Sequence, residues 1–142
     1  MTLEKIHAAI PHRRPMLLLD EIVEQSENQI QCRKTFTPDE FFFQGHYPDF
    51  PLVPGVILCE SAMQAGAVLL STYAAAAEGA VPVATRLGDV KFKKMVRPGD
   101  TILLNVTLNE RLADTFFLTA KVTLDGKLAA RFDFACTMAK VE

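Results

Sequence analysis

The sequence has few cysteines, and their spacing argues against a metal site or a disulfide framework. Cys32, Cys59 and Cys136 are odd in number, lie far apart and include no Cys-x-x-Cys pair. Structural zinc sites and disulfide-rich folds need closely spaced or even-numbered cysteines. The sequence therefore predicts free thiols in a reducing compartment, and the cytoplasm is the expected location.

The sequence also lacks an excess of positive charge and a recognisable secretory signal. It has 15 basic and 17 acidic residues, for a net charge of −2. A nucleic-acid-binding protein needs an excess of basic residues to neutralise phosphates. Residues 1–10 contain no basic segment followed by an apolar run, which a signal peptide requires. We therefore expect neither a nucleic-acid partner nor secretion.

Only one stretch is apolar enough to be tested as a membrane span, residues 53–77. Its length would suffice to cross a bilayer. Glu60 and Gln64 interrupt it, however, and a carboxylate near the middle of a spanning helix is costly. No basic residues closely flank it. The stretch is better explained as the central helix of a globular core, and we expect no membrane partner.

The size and composition of the chain are those of one ordinary globular domain. Its 142 residues are 49% apolar and 23% charged, which is enough for one sizeable core. No repeat or low-complexity linker divides it, so we predict a single domain over residues 1–142.

Hydrophobic periodicity and turn signals predict a short first helix, one long helix and about six strands. The first helix carries Leu3, Ile6 and Ile10, residues 79–82 end the long helix region, and Asp125-Gly126 is a strong hairpin signal. A brief turn or helix carries Phe41–Phe43. The predicted fold class is α+β, with the long helix covered by a curved, mostly antiparallel sheet. The predicted strands are residues 16–23, 29–36, 83–92, 101–108, 115–124 and 128–139.

The most informative stretch places a histidine in a stiff loop just before the long helix. Pro48, Pro51 and Pro54 each fix a backbone φ angle and so restrict the loop that carries His46. Pro54 also suits the first helical turn. The N–H of Gly55 would then be one of the free donors at the helix N-terminus, where it can stabilise an oxygen that becomes negative.

A carboxylate and an amide follow on the same helix. Glu60 and Gln64 are four residues apart, so they share a face and can form a hydrogen bond. Burial disfavours a charged carboxylate, so Glu60 can hold a proton near neutrality, while His46 can accept one. Removing a proton next to a thioester carbonyl and then losing a β-hydroxyl needs this base, this acid and a carbonyl clamp. It needs no metal and no cofactor.

The motif QGHYPDFPLVPGVILCESAMQ at residues 44–64 resembles the signature of the 3-hydroxyacyl-[acyl-carrier-protein] dehydratases. That family has G-H-F-P-x-x-P-x-x-P-G-V, then a helix with Glu or Asp and Gln, and the spacing here fits without a gap. Residues 10–20 resemble its L-P-H-R-x-P-F-L-L-V-D motif. Residues 90–93 and 98–100 match its K-F and P-G-D elements. The resemblance covers nearly the whole chain.

The resemblance implies a hotdog fold and a role for each site residue. His46 would be the base at Cα, Glu60 the acid at the β-hydroxyl, Gly55 the N–H that polarises the carbonyl, and Gln64 the residue that orients Glu60. It also implies an acyl-carrier-protein substrate and a homodimer whose sites combine His46 of one subunit with Glu60 of the other. Such dimers often assemble into hexamers. Glu rather than Asp at position 60 resembles the simple dehydratase branch rather than the dehydratase/isomerase branch.

Several features are open to two interpretations. Aromatic and apolar residues near the motif are candidates for an acyl tunnel, although plain core packing explains phenylalanines equally well. Three departures from the family pattern, at Tyr47, Asp49-Phe50 and Val53, lie beside the site and could alter chain length or partner preference. The tunnel candidates are Phe41, Phe42, Phe43, Tyr47, Phe50 and Val53.

A group of basic residues could steer an acidic carrier protein, or could simply be a solvated strand face. These residues are Arg13, Arg14, Lys91, Lys93, Lys94 and Arg97.

Two competing functions use the same fold. A hotdog thioesterase would hydrolyse the thioester, and a non-catalytic module would only bind it. The spacing of His46 and Glu60 argues against the first, and the intact acid–base pair argues against the second. Cys59 is a poor nucleophile candidate because adjacent helix residues point about 100° apart, so Cys59 does not share the face of Glu60.

Overall fold

The fold is built on one long helix that lies against a single sheet. The structure, a computed structural model, describes residues 3–76 and 79–140. Helix α1 spans Leu3–Ala9 and helix α2 spans Gly55–Ala76, with a 3-10 turn over Phe41–Phe43 between them. The predicted extension of the apolar run to residue 77, and the ends of the predicted domain at residues 1–2 and 141–142, lie outside the described residues.

The sheet has six strands, and every pair of neighbours in it is antiparallel. Their order across the sheet is β1-β2-β4-β5-β6-β3. Strand β3 is therefore at one edge, and β1 is at the other. Their bounds are β1 Glu21–Gln25, β2 Gln29–Thr35, β3 Ala80–Phe92, β4 Thr101–Leu112, β5 Thr115–Leu124 and β6 Lys127–Lys140.

Helix α2 fills the curve of the sheet, which confirms the predicted hotdog architecture. Gly66 allows the close approach, because a Cβ atom there would lie 2.7 Å from the Phe134 ring. The segment Gly55–Tyr73 is long and apolar enough to cross a membrane, but 61% of it is buried within the fold. That packing is typical of the core helix of a globular domain.

One predicted strand is wrong over most of its length. Residues 16–20 were expected to pair with a neighbour, but β1 begins only at Glu21. The Leu18 N–H donates to the Gln64 side chain and the Leu18 carbonyl accepts from Ser61. Because helix side chains satisfy the backbone of Leu18, residues 17–19 are buried outside the sheet, and contact with β2 starts where the Asp20 N–H donates to the Arg33 carbonyl.

The other strand predictions hold, with shifted ends. Strand β3 begins at Ala80 rather than residue 83 and includes Pro82, which an edge strand tolerates because one row of its N–H groups has no strand partner. Strand β4 continues to Leu112 and turns directly into β5. The predicted Asp125-Gly126 hairpin is present, with φ angles of 51° and 77°, as such a turn requires.

Candidate active site

The loop before α2 holds His46 in a defined orientation. Gly45 and Tyr47 on either side have positive φ angles of 87° and 52°. The His46 Nδ1 atom lies 3.1 Å from the Leu52 carbonyl oxygen. A carbonyl only accepts, so Nδ1 carries the proton in this contact. The other ring nitrogen, Nε2, is then the one that can accept a proton when the ring is neutral.

Glu60 lies in the second turn of α2 and is held by Gln64. The Gln64 Nε2 atom donates to Glu60 Oε2 at 2.8 Å, which is the contact that the four-residue spacing predicted. Gln64 also donates to the Met16 carbonyl at 2.8 Å, and its Oε1 accepts from the Leu18 N–H at 2.7 Å. Gln64 is only 1% exposed. Three bonds therefore fix the amide, which in turn fixes one oxygen of Glu60.

The N-terminus of α2 presents a free backbone donor. The helix begins at Gly55, and the Pro54 carbonyl accepts from Ile57 and Leu58. The Gly55 N–H has no acceptor within the described residues. A Cβ at Gly55 would lie 2.7 Å from the Phe92 ring. Glycine at this position therefore lets the Phe92 ring pack directly against the first turn of the helix.

His46 and Glu60 each bond to a different neighbour within one chain. No hydrogen bond or ion pair joins their side chains in the described part of the molecule. The imidazole of His12 is instead the neighbour of Glu60, with His12 Nε2 3.9 Å from Glu60 Oε2. Each member of the predicted pair is therefore held by its own contacts and not by the other member.

The six tunnel candidates divide into three buried residues and three surface residues. Phe42, Phe43 and Val53 are buried members of the core. Val53 also donates its N–H to the Val96 carbonyl at 2.7 Å, which joins the His46 loop to residues 93–99. For these three residues, core packing is the role that the single chain supports.

The other three tunnel candidates lie at the surface. Tyr47 is 61% exposed and its ring packs edge-on against His46, with centroids 4.8 Å apart. Phe50 lies under the guanidinium of Arg97 at 4.5 Å. Phe41 lines a cleft of about 590 Å³ on the α1 side of the molecule. Of the three, Tyr47 is in direct contact with a proposed catalytic group.

The basic residues divide into two groups. Lys91, Lys93 and Arg97 are exposed and lie on or beside the segment that is joined to the His46 loop. The guanidinium of Arg13 is instead hydrogen-bonded within its own segment, where it donates to the backbone carbonyls of residues 7, 10 and 12. The arginines at 13–14 and the basic residues at 91–97 thus lie on two separate segments, of which the second adjoins the His46 loop.

The cysteines are unsuited to catalysis or metal binding. All three are free and buried, and burial raises the pKa of the Cys59 thiol. A neutral buried thiol is a poor nucleophile. No group of three His, Cys, Asp or Glu side chains among residues 3–76 and 79–140 could hold a metal ion.

Sequence reasoning assigned no role to two residues that the structure brings to the site, His12 and Phe92. His12 belongs to the motif at residues 10–20, but it lies 48 positions before Glu60 in the chain, which gave no reason to connect the two residues. Phe92 covers the N-terminal glycine of α2. The pairing of β3 with β6, which carries Phe92 there, is a long-range contact that local patterns do not reveal.

The comparisons with known proteins agree on a family. A sequence model described as the FabA-like domain matches residues 10–133. The 3-hydroxyacyl-[acyl-carrier-protein] dehydratase FabZ of Oenococcus oeni is 42% identical, covering 94% of this chain and 96% of its own. The enzyme of the same name from Clostridium perfringens is 40% identical, covering 91% and 92%.

A solved structure supports the same fold. The dehydratase heterocomplex ApeI:P from Xenorhabdus doucetiae contains a chain that superposes with a TM-score of 0.77 at 16% identity. The match covers 95% of this chain and 91% of that one. At this identity the likeness concerns the fold alone, whereas the family model and the sequence relatives cover the motifs as well. This chain belongs to the FabA-like dehydratase family.

Proposed function

We propose that this chain dehydrates (3R)-3-hydroxyacyl thioesters of acyl carrier protein to trans-2-enoyl thioesters in fatty acid biosynthesis. Relatives about 40% identical over most of the chain carry that activity in their names. The observation that carries the residue assignment is the bond from Gln64 to Glu60, because it holds a carboxyl group on a helix that is mostly buried. A buried amide tied to that carboxyl is hard to explain by packing alone.

The base in this proposal is His46. Its Nδ1 proton is engaged by the Leu52 carbonyl, so Nε2 takes the proton from the substrate Cα. A backbone partner on the second nitrogen fixes both the tautomer and the ring plane. The same contact stabilises the imidazolium that forms when the proton is taken.

The acid is Glu60, which gives its proton to the β-hydroxyl as the C–O bond breaks. The hydroxyl leaves as water, and the electron pair of the broken C–H bond forms the new double bond. The Gly55 N–H donates to the thioester carbonyl oxygen as negative charge builds there. Gln64 positions Glu60 throughout.

The complete site is shared between two copies of the chain. Among the described residues of one chain, no hydrogen bond joins His46 to Glu60, which leaves each group available to act with its counterpart from a second copy. Strand β3 offers a surface for such a partner. It is a sheet edge of 13 residues with exposed apolar side chains at Val83 and Leu87, and unpaired edges of this kind favour strand addition. A homodimer, alone or within a hexamer, would cover it.

The carrier protein would approach over Lys91, Lys93 and Arg97. These residues are exposed beside the loop of His46, and positive charge attracts an acidic partner and speeds its encounter. Their position next to the site is what supports this assignment over a plain solvated face.

The activity is tested with purified protein and a trans-2-enoyl thioester of acyl carrier protein. We expect loss of the conjugated-enoyl absorbance without release of free thiol, since hydration reverses the proposed reaction. His46→Ala and Glu60→Gln should each lower the rate by roughly 100-fold or more. Thiol release would indicate a thioesterase. No change in absorbance or in free thiol, together with tight acyl binding, would indicate a binding module.

The shared site is tested by mixing the two inactive variants after brief unfolding and refolding together. A mixed dimer of His46→Ala with Glu60→Gln contains one intact and one doubly altered site if the site spans two chains. Random reassociation then restores roughly a quarter of the wild-type activity. Refolding each variant alone is the control. No recovery in a mixture shown to contain mixed dimers would place both groups of a site in one chain.

A further inference from the structure

His12 lies beside Glu60 and has an unusual hydrogen-bonding state. Its Nε2 atom is 3.9 Å from Glu60 Oε2, and both side chains are 30% exposed. Its other ring nitrogen, Nδ1, is buried without a partner in the described residues. An unpaired buried nitrogen costs free energy, so its presence beside the proposed acid calls for a reason.

The position of His12 does not depend on its own side chain. Arg13, the next residue, donates to the carbonyls of Ile10 at 2.9 Å and His7 at 3.0 Å, which fastens the loop to α1. Farther along, the backbone of Leu18 is bonded to Gln64 and Ser61 on α2. Both sides of the loop are therefore anchored, and the imidazole is held over the Glu60 turn of the helix.

The unpaired Nδ1 determines where the His12 proton lies. A protonated ring would bury a charged N–H with no acceptor, which costs more than an unpaired neutral nitrogen. The neutral ring with its proton on Nε2 avoids this cost and directs an N–H towards Glu60. The separation of 3.9 Å exceeds a hydrogen bond, but such contacts often tighten only when substrate is bound.

We propose that His12 is a positioning residue that donates its Nε2–H to Glu60 Oε2. This inference rests on the proposed function. The same oxygen already accepts from Gln64, so two N–H groups face Oε2. Both lone pairs of Oε2 are then used as acceptors, and neither is available to hold the acidic proton. The acidic proton of Glu60 is therefore carried by Oε1, and Oε1 is the atom that delivers it to the leaving hydroxyl.

The two donors act most strongly when Glu60 has lost its proton. A hydrogen bond to a carboxylate is about twice as strong as one to a neutral group, so the His12 bond strengthens as the reaction proceeds and lowers the barrier. The Arg13 guanidinium donates to the backbone carbonyls of His12 and His7, so its charge lies beside the same loop. Among the described residues, the buried side chains of the sheet beneath α2 are apolar apart from Lys34.

The test compares two substitutions at position 12. His12→Phe keeps the ring volume but removes the donor, whereas His12→Gln places an amide N–H near the position of Nε2. For His12→Phe we expect kcat to fall about 10- to 100-fold, as for loss of a bond to a charged group, with KM little changed. The alkaline limb of its kcat–pH profile should move to higher pH, because the ionised acid has lost a donor. His12→Gln should recover most of the rate and the original limb.

Nitrogen-15 spectra of the histidine side chains provide a measurement that does not depend on activity. They should show His12 neutral, with its proton on Nε2, and its signals should move in Glu60→Gln. Circular dichroism checks that each variant folds. If His12→Phe keeps the wild-type kcat and the wild-type alkaline limb of the kcat–pH profile, the inference is wrong while the proposed function stands. The same holds if kcat falls as far in His12→Gln as in His12→Phe. If wild type has no dehydratase activity, the proposed function fails and this inference fails with it.

Discussion

At the scale of single residues, Gln64 is the most fully bonded side chain near the site. Its oxygen accepts from Leu18 and its nitrogen donates to Met16 and Glu60. An amide with both ends engaged cannot rotate to suit a different neighbour. The backbone of residues 16–18 therefore decides which way Glu60 points.

Replacing Gln64 by leucine should weaken both stability and catalysis. The buried N–H of Leu18 would lose its partner, at a cost of about 1–3 kcal/mol, and the part-buried carbonyl of Met16 would lose a donor as well. Glu60 would lose its orienting bond, so kcat should fall about 10-fold or more. Urea unfolding and steady-state kinetics measure the two effects.

The matched control is Ser61→Ala. Ser61 donates to the Leu18 carbonyl at 2.7 Å, so its loss loosens the same segment without touching Glu60. We expect reduced stability with nearly unchanged kcat. Equal losses of kcat in the two variants would mean that Gln64 acts only by holding the fold.

At the scale of elements, the contact of α2 with the sheet depends on a residue that disfavours helices. Glycine in a helix interior costs about 1 kcal/mol relative to alanine, yet Gly66 lies in the middle of α2. The Phe134 ring of β6 occupies the space that a Cβ would need, at 2.7 Å. Close packing of helix on sheet therefore outweighs helix propensity here.

Gly66→Ala should destabilise the protein despite the better helix propensity of alanine. The added methyl group meets a buried ring that is surrounded by core, and overpacking typically costs 1–3 kcal/mol. In the double variant Gly66→Ala/Phe134→Leu, the smaller side chain makes room, so the loss should be less than the sum of the single losses. A stabilising Gly66→Ala would show that the contact relaxes freely.

At the scale of the whole molecule, the buried thiols make stability depend on pH. Burial raises the pKa of Cys32 to about 12 and that of Cys136 to about 11, from an ordinary value of 9.0. Above pH 9 the unfolded chain releases these protons while the folded chain keeps them. The stabilising contribution of the two buried, protonated thiols is therefore complete below about pH 9, and it is lost as the pH rises towards 11 and 12.

The free energy of unfolding should accordingly fall between about pH 9 and 11, by up to about 1.4 kcal/mol per pH unit for each proton. Lysines and tyrosines also titrate in this range, so the comparison is with Cys32→Ala/Cys136→Ala. The double variant should show a shallower decline in urea unfolding. Parallel declines would mean that the thiols make no contribution.

The sequence alone determined the parts of this protein that local chemistry controls. Local patterns identified five of the six strands closely, the Asp125-Gly126 turn identified a hairpin, and the prolines around His46 indicated a loop before the long helix. The spacing of Glu60 and Gln64 predicted their hydrogen bond. In each case the interacting groups are close along the chain, so periodicity and turn preference are sufficient.

Only the tertiary structure decided the contacts between distant segments. Residues 16–20 read as a strand, but Gln64, 46 positions from Leu18, satisfies the backbone there instead. The tunnel candidates look alike in sequence, yet Phe42, Phe43 and Val53 are core and Tyr47 lies at the surface. The approach of His12 to Glu60 has no local signal either. Hydrogen bonds and packing between segments depend on how the whole chain closes on itself, which no short pattern encodes.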